Sequence, residues 1–209
     1  GQPQKIDFPI EPRRRRAALV KPRASAPTID GDLGDWTDAE WQSLAEPSQV
    51  TLGGNLLKST DDLSAKFAIA EDEQNFYVAV RVTDDFVGDN MTPSEGDGIE
   101  LFTARPAKGE ISFNRDADWH RLVIAPFAPD GVAAGAPRVA TYGVNKLNQV
   151  KAAYVREPKA YTIELALSRQ ELGWLGAGGS KPLLDLAVLL GDAAQGRAGY
   201  GAKDAKAQN

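Results

Sequence analysis

At 209 residues, 42% hydrophobic and 25% charged, the chain has the size and balance of one globular domain, or of one domain with a tail. The lack of cysteine excludes disulfides, thiolate metal sites and cysteine nucleophiles, and a single histidine, His120, excludes a multi-histidine metal centre. The net charge of −5 is unevenly spread: residues 1–23 carry seven basic and two acidic residues, so the rest sums to −10. An acidic body argues against nucleic acid as the main partner, since phosphate binding rests on clustered Lys and Arg.

The first 26 residues contain Pro3, Pro9, Pro12, Pro22 and the run Arg13–Arg16. They read as an extended basic arm or linker that lies against the acidic body or stays solvated. The start, Gly1-Gln2-Pro3, has no charged segment followed by an apolar one. A leading Gly without Met reads as a processed or engineered start; with an export signal removed, the mature chain is expected to be secreted or periplasmic.

The body, 27–209, opens at Pro27 with the turn signal Asp30-Gly31, and Thr37–Leu44 reads as a helical turn. Strand patterns follow. Residues 65–70 and 76–82 flank the polar turn 71–75 as a β-hairpin, with alternation and aromatic or β-branched enrichment. Further strands are expected at 98–103, 110–114, 121–125, 138–142, 150–156, 161–167, 183–191 and, more weakly, 197–201. Turn signals such as Pro129-Asp130-Gly131 and Glu157-Pro158 separate them, and 169–175 reads as a second helical turn. Short strands at this spacing imply an all-β fold, an antiparallel β-sandwich of jelly-roll type. The longest apolar run, 183–190, is broken by Asp185 and is far shorter than the ~20 residues of a membrane span.

Catalytic signatures are scarce. No serine sits in a Gly-x-Ser-x-Gly elbow, and the Gly-rich stretch 176–179 lacks the Lys-Ser/Thr ending of a phosphate loop. Asp84, Asp85, Asp89, Glu95 and Asp97 form an acidic loop between two strong strands. Hard oxygen ligands on an irregular loop suit Ca²⁺, with Asp84, Asp85, Asp89 and Asp97 as candidate ligands; the alternative is a solvated loop with side-chain-capped turns. Among four tryptophans, Trp119 follows the polar stretch 114–118 and is the candidate for an exposed platform, since aromatic rings stack on the C–H faces of sugars.

Four segments in order carry a family resemblance. Residues 27–36, Pro-Thr-Ile-Asp-Gly-Asp-Leu-Gly-Asp-Trp, resemble the opening of the family 9 carbohydrate-binding modules. Residues 72–85, which include Asn75-Phe76-Tyr77-Val78, resemble that family's central hairpin. Gly96-Asp97-Gly98-Ile99-Glu100-Leu101-Phe102 is similar to its "D-S-V-E-I-F" strand, and Tyr161-Thr162-Ile163-Glu164-Leu165-Ala166-Leu167 to its "Y-x-V-E-x-A-I" strand.

The resemblance implies a non-catalytic β-sandwich with structural Ca²⁺ that binds an oligo- or polysaccharide. Glu100 matches the strand glutamate that hydrogen-bonds sugar hydroxyls, and Arg121 matches the binding arginine. The family's two stacking tryptophans have no counterpart, one falling near Ser94 or Glu95 and the other within 197–209, so Trp119 or Phe86 is expected as a substitute platform. Two alternatives stand beside this reading. One is a structural or protein-interaction sandwich, with other domains or proteins of an exported system as partners. The other is a b-type haem domain of the same fold, with Met91 and His120 as axial ligands.

Overall fold

The computed structural model describes residues 20–52, 57–87, 96–105, 118–126, 134–143, 146–175, 183–190 and 198–201. Thirteen strands occur among them: β1 (Lys21–Pro22), β2 (Gln42–Leu44), β3 (Val50–Leu52), β4 (Leu63–Glu71), β5 (Asn75–Asp84), β6 (Gly98–Arg105), β7 (Asp118–Ala125), β8 (Ala134–Gly135), β9 (Arg138–Gly143), β10 (Lys151–Glu157), β11 (Ala160–Ser168), β12 (Leu183–Leu190) and β13 (Ala198–Gly201). They form two sheets. Sheet A runs β1-β4-β5-β11-β10-β8, with β2 also paired to β4, and sheet B runs β3-β13-β12-β6-β7-β9. Every pairing is antiparallel except the two-residue contact of β1 with β4.

The core lies between the sheets and follows the period-two rule for strands. Sheet A contributes Leu63, Phe67 and Ile69 from β4, Val78, Val80 and Val82 from β5, and Tyr161, Ile163 and Leu165 from β11. Sheet B meets them with Ile99, Leu101, Leu122, Ile124, Leu186 and Val188. Beyond one end, Trp174 packs edge-on against Phe76 with ring centroids 4.9 Å apart.

The centre of sheet A is buried on its outer face as well, which explains why 76–80 reads as an unbroken apolar run rather than as clean alternation. Small residues there, Ala68, Ala70, Ala79 and Ala166, form a flat floor with Tyr77. The segment 28–41 lies across it and places Trp36, fully buried, at the centre. Glu164 of β11 ties this cover down. Its Oε1 accepts the Trp36 indole N–H at 2.7 Å, and its Oε2 accepts the Gly31 and Asp30 amides at 2.6 and 3.0 Å. Gly31 has φ +87°, and a Cβ there would stand 2.7 Å from the Tyr154 carbonyl carbon. Only glycine fits both the turn and the approach. The Thr162 hydroxyl closes the contact by donating to the Gly31 carbonyl at 2.6 Å.

The structure differs from expectation around this cover. Thr37–Leu44 was expected to be helical, but the helical turn is a 3-10 turn at Leu33–Trp36, with Asp32 accepting the Gly34 amide, and Gln42–Leu44 is strand β2. Pairing of β2 with β4 supplies its backbone partners, a tertiary contact that a local pattern does not carry. Of the arm expected over 1–26, residues 20–26 are described. Lys21 and Pro22 pair with Ala70 and Glu71, and Arg23 donates to the Asp35 carbonyl and stacks over the Trp36 ring at 5.3 Å. The short strands β3 and β8 carry no alternation and were not expected. The expected strand 110–114 lies outside the described residues. Residues 169–174 form hydrogen-bonded turns, with the Leu172 amide donating to the Ser168 carbonyl.

Candidate functional site

Sheet B presents a different outer face. With Ile99, Leu101, Leu122 and Ile124 directed inward, the alternate residues Glu100 and Phe102 of β6, Trp119, Arg121 and Val123 of β7, and Asp185 of β12 share the opposite side. Register fixes the neighbours. Asp185, Phe102, Arg121 and Tyr142 form one row across β12, β6, β7 and β9, while Ala187, Glu100, Val123 and Ala140 form the next. Gly143, at φ +144°, follows Tyr142, and a Cβ there would collide with the Trp119 carbonyl. Its missing side chain lets β9 close on β7, which sets Tyr142 beside Arg121.

At the centre is an ion pair. The Arg121 Nη2 donates to Glu100 Oε1 at 2.5 Å, with the glutamate side chain 5% exposed and the arginine side chain 31% exposed. Two rings flank the guanidinium, Phe102 with its centroid at 5.7 Å and Tyr142 at 5.4 Å. Cation–π contacts of this kind add to the tether from Glu100 and fix where the donors point. The Arg121 Nε is buried and has no hydrogen-bond partner among the described residues. Trp119 is half-buried and Tyr142 is 48% exposed. The arrangement offers a held donor, a carboxylate acceptor and aromatic surface on one face, a combination suited to hydroxyl-bearing ligands.

Three of the four residues expected at a sugar site, Glu100, Trp119 and Arg121, thus share this face. Phe86 follows β5 of sheet A, is exposed, and its amide donates to Asp84 Oδ1, so no strand of sheet B carries it. Phe102, Tyr142 and Asp185 were not singled out from sequence. The signal for Phe102 was present in the alternation from Glu100, but Tyr142 depends on β7–β9 register, which the residues do not announce. His120 points inward, between the sheets, on the side of Leu122 and Ile124. Met91 lies outside the described residues.

The acidic loop gives a mixed fit to Ca²⁺. Asp84 and Asp97 are buried, and burial first, then the charges of Asp97 and Asp84, push the Tyr161 hydroxyl well above its ordinary range. Asp62 is also buried, with Oδ1 lacking a hydrogen-bond partner among the described residues. Asp85 is exposed, however, and Asp89 lies outside the described residues. Among the described residues no group of three His, Cys, Asp or Glu side chains is assembled as a ligand set. No described helix is long and apolar enough to cross a membrane.

Recesses on sheet A do not compete with this face. One of about 250 Å³ is lined by Gly31, Leu33, Val155 and Thr162 and bordered by the Arg81–Glu157 pair. One of about 90 Å³ is lined by Asp30, Asp32 and Asp35, whose carboxylates already accept amides of the same loop.

The sequence model described as "Carbohydrate family 9 binding domain-like" matches residues 29–207. Among solved structures, the chain is similar to a family 9 carbohydrate-binding module from Caldicellulosiruptor kristjanssonii in complex with glucose, at 18% identity and a TM-score of 0.60, over 90% of this chain and 85% of that one. A family 9 module from the same organism in complex with cellotriose gives 18% identity and a TM-score of 0.59, over 89% and 84%. No curated protein matches significantly.

Proposed function

The chain belongs to the family 9 carbohydrate-binding-domain-like family, and on that premise we propose that it is a non-catalytic carbohydrate-binding module whose ligand lies on the outer face of sheet B. The observation that carries the reading is the Glu100–Arg121 pair, held between Phe102 and Tyr142 with Trp119 on the same face. Arginine donors and the glutamate acceptor hydrogen-bond hydroxyls, and the rings stack on C–H faces. The Glu100 carboxylate is engaged by Arg121, which builds a binding pair rather than a displaced nucleophile facing a second acid.

We place a structural Ca²⁺ at Asp84 and Asp97, the two candidate ligands that are buried among the described residues. It would supply charge neutralisation at that end of the sandwich and takes no part in binding sugar.

Calorimetric titration with cellobiose, xylobiose and a soluble polysaccharide mixture, in Ca²⁺ and again in EDTA, tests the reading. Heat that vanishes in Glu100→Ala and Arg121→Ala supports it. A folded protein that gives no heat with any sugar moves the assignment to a structural or protein-interaction sandwich.

A further inference from the structure

We propose that Tyr142 is the stacking platform of this site, and that the ligand is an internal stretch of a neutral glycan chain laid across β6, β7 and β9 rather than an enclosed chain end. The inference rests on the reading of sheet B's outer face as the sugar site, and it adds a residue, a ligand geometry and a charge class.

Among the described residues, the Tyr142 ring meets the Arg121 guanidinium at 5.4 Å, and it leaves about half its surface in solvent. It is a large, exposed aromatic residue on the same face as the ion pair, whereas Phe102 lies beneath the opposite side of Arg121 and is only partly exposed. An exposed ring beside a fixed hydrogen-bonding group is the usual pairing at sugar sites, with the apolar body taking the ring face and the polar group the hydroxyls.

Geometry sets the footprint. Phe102, Arg121 and Tyr142 lie in one row across three adjacent strands, a span of about 10 Å at the spacing of neighbouring strands. That is wider than one sugar ring. β9 ends the path of sheet B among the described residues. One ring with one open face stacks a sugar from one side, and this suits a residue within a chain.

Charge sets the class. Arg121 is already compensated by Glu100, and Asp185 occupies the same row on β12. Among the described residues of this row, an incoming carboxylate would meet one arginine that is already paired, while Arg138 stands two alternate positions further along β9, about 13 Å away.

The test is calorimetric titration of the full chain with cellotetraose, xylotetraose, the borohydride-reduced form of each, and tetragalacturonate. At least one neutral oligomer is expected to bind, its reduced form within twofold, and tetragalacturonate at least tenfold more weakly. Tyr142→Ala is expected to weaken binding about threefold to tenfold, with Tyr142→Phe recovering most of the loss and an unchanged melting temperature showing that the fold is intact. Leu175→Ala, an exposed apolar truncation on the turn after β11, leaves affinity unchanged. If Arg121→Ala abolishes binding while Tyr142→Ala does not weaken it, the platform is wrong and the sugar site stands. Loss of binding on reduction, or tighter binding of tetragalacturonate, overturns the chain geometry or the charge class. No binding of any oligomer overturns both this inference and the function on which it rests.

Discussion

Each sheet of the sandwich carries a buried glutamate on its outer face, and the two glutamates are held in opposite ways. Glu164 of sheet A accepts three N–H groups from residues 30–36 and faces no arginine among its hydrogen-bond partners. Burial lifts its pKa above the usual carboxylate range, against the lowering effect of those three donors. Glu100 of sheet B faces a guanidinium that is one-third exposed and backed by two rings. The first glutamate spends its capacity on the chain itself and fastens a cover. The second holds a side chain that keeps part of its surface in solvent. The two glutamates therefore serve different ends: small alanines on β4, β5 and β11 lie under a covering segment, while Arg121 and Tyr142, on the face of Glu100, keep part of their surface in solvent.

The largest effect expected on the structural side is that of Trp36→Ala. It removes a fully buried ring from the cover and is expected to cost about 3–5 kcal/mol in denaturant unfolding. Glu164→Ala comes next, at about 2–4 kcal/mol, because the Trp36 indole and two backbone amides lose their acceptor. In a variant that remains folded, the division between the faces predicts that sugar affinity changes little. Parallel loss of stability and affinity would dissolve the comparison.

On the other face, Glu100→Gln is expected to weaken sugar binding at least tenfold, through loss of the charge that positions Arg121, while costing only about 1–2 kcal/mol of stability. Calorimetry on the folded variant separates the two quantities.

Smaller still is an acid-side effect. Burial works to raise the Asp72 pKa, but hydrogen bonds from the Tyr77 hydroxyl and the Asn75 and Gln74 amides, with the charge of Arg169, bring it below the ordinary value. Its partner Tyr77 is pushed up to about 12, by burial first and by Asp72 second. A depressed carboxylate contributes stability above its unfolded pKa of about 4, and that contribution disappears as pH falls through the lower folded value. Asp72→Asn is therefore expected to flatten the stability–pH curve below about pH 4, measured by urea unfolding at several pH values. Glu164 acts with the opposite sign: its raised pKa contributes stability at low pH that is lost as pH rises through the folded value. Arg81→Ala, at a half-exposed pair with Glu157, is expected to cost less than about 1 kcal/mol.

Much of the fold was legible in sequence because inward alternation is strict where the sheets meet. The hairpin 65–82 and the strands at 98, 161 and 183 fall within a few residues of β4, β5, β6, β11 and β12. What escaped notice was held by partners distant in the chain. Strand β2 is made by β4, and β1 is made by the far end of β4. The site divided along the same line. Glu100 and Arg121 were readable from the family resemblance, and the structure joins them as an ion pair. Tyr142 was not, because only the β7–β9 register sets it beside Arg121.

The division between the faces can be read directly from the four indole N–H signals of Trp36, Trp41, Trp119 and Trp174 in a ¹⁵N–¹H correlation spectrum. On titration with cellotetraose or xylotetraose, Trp119, on the face of Glu100 and Arg121, is expected to shift in a saturable way. Trp36, bonded to Glu164, and its neighbour Trp41, with ring centroids 6.5 Å apart, are expected to stay in place. Saturable shifts of Trp36 or Trp41 with Trp119 unmoved would put the ligand on sheet A and contradict the assignment of the two faces.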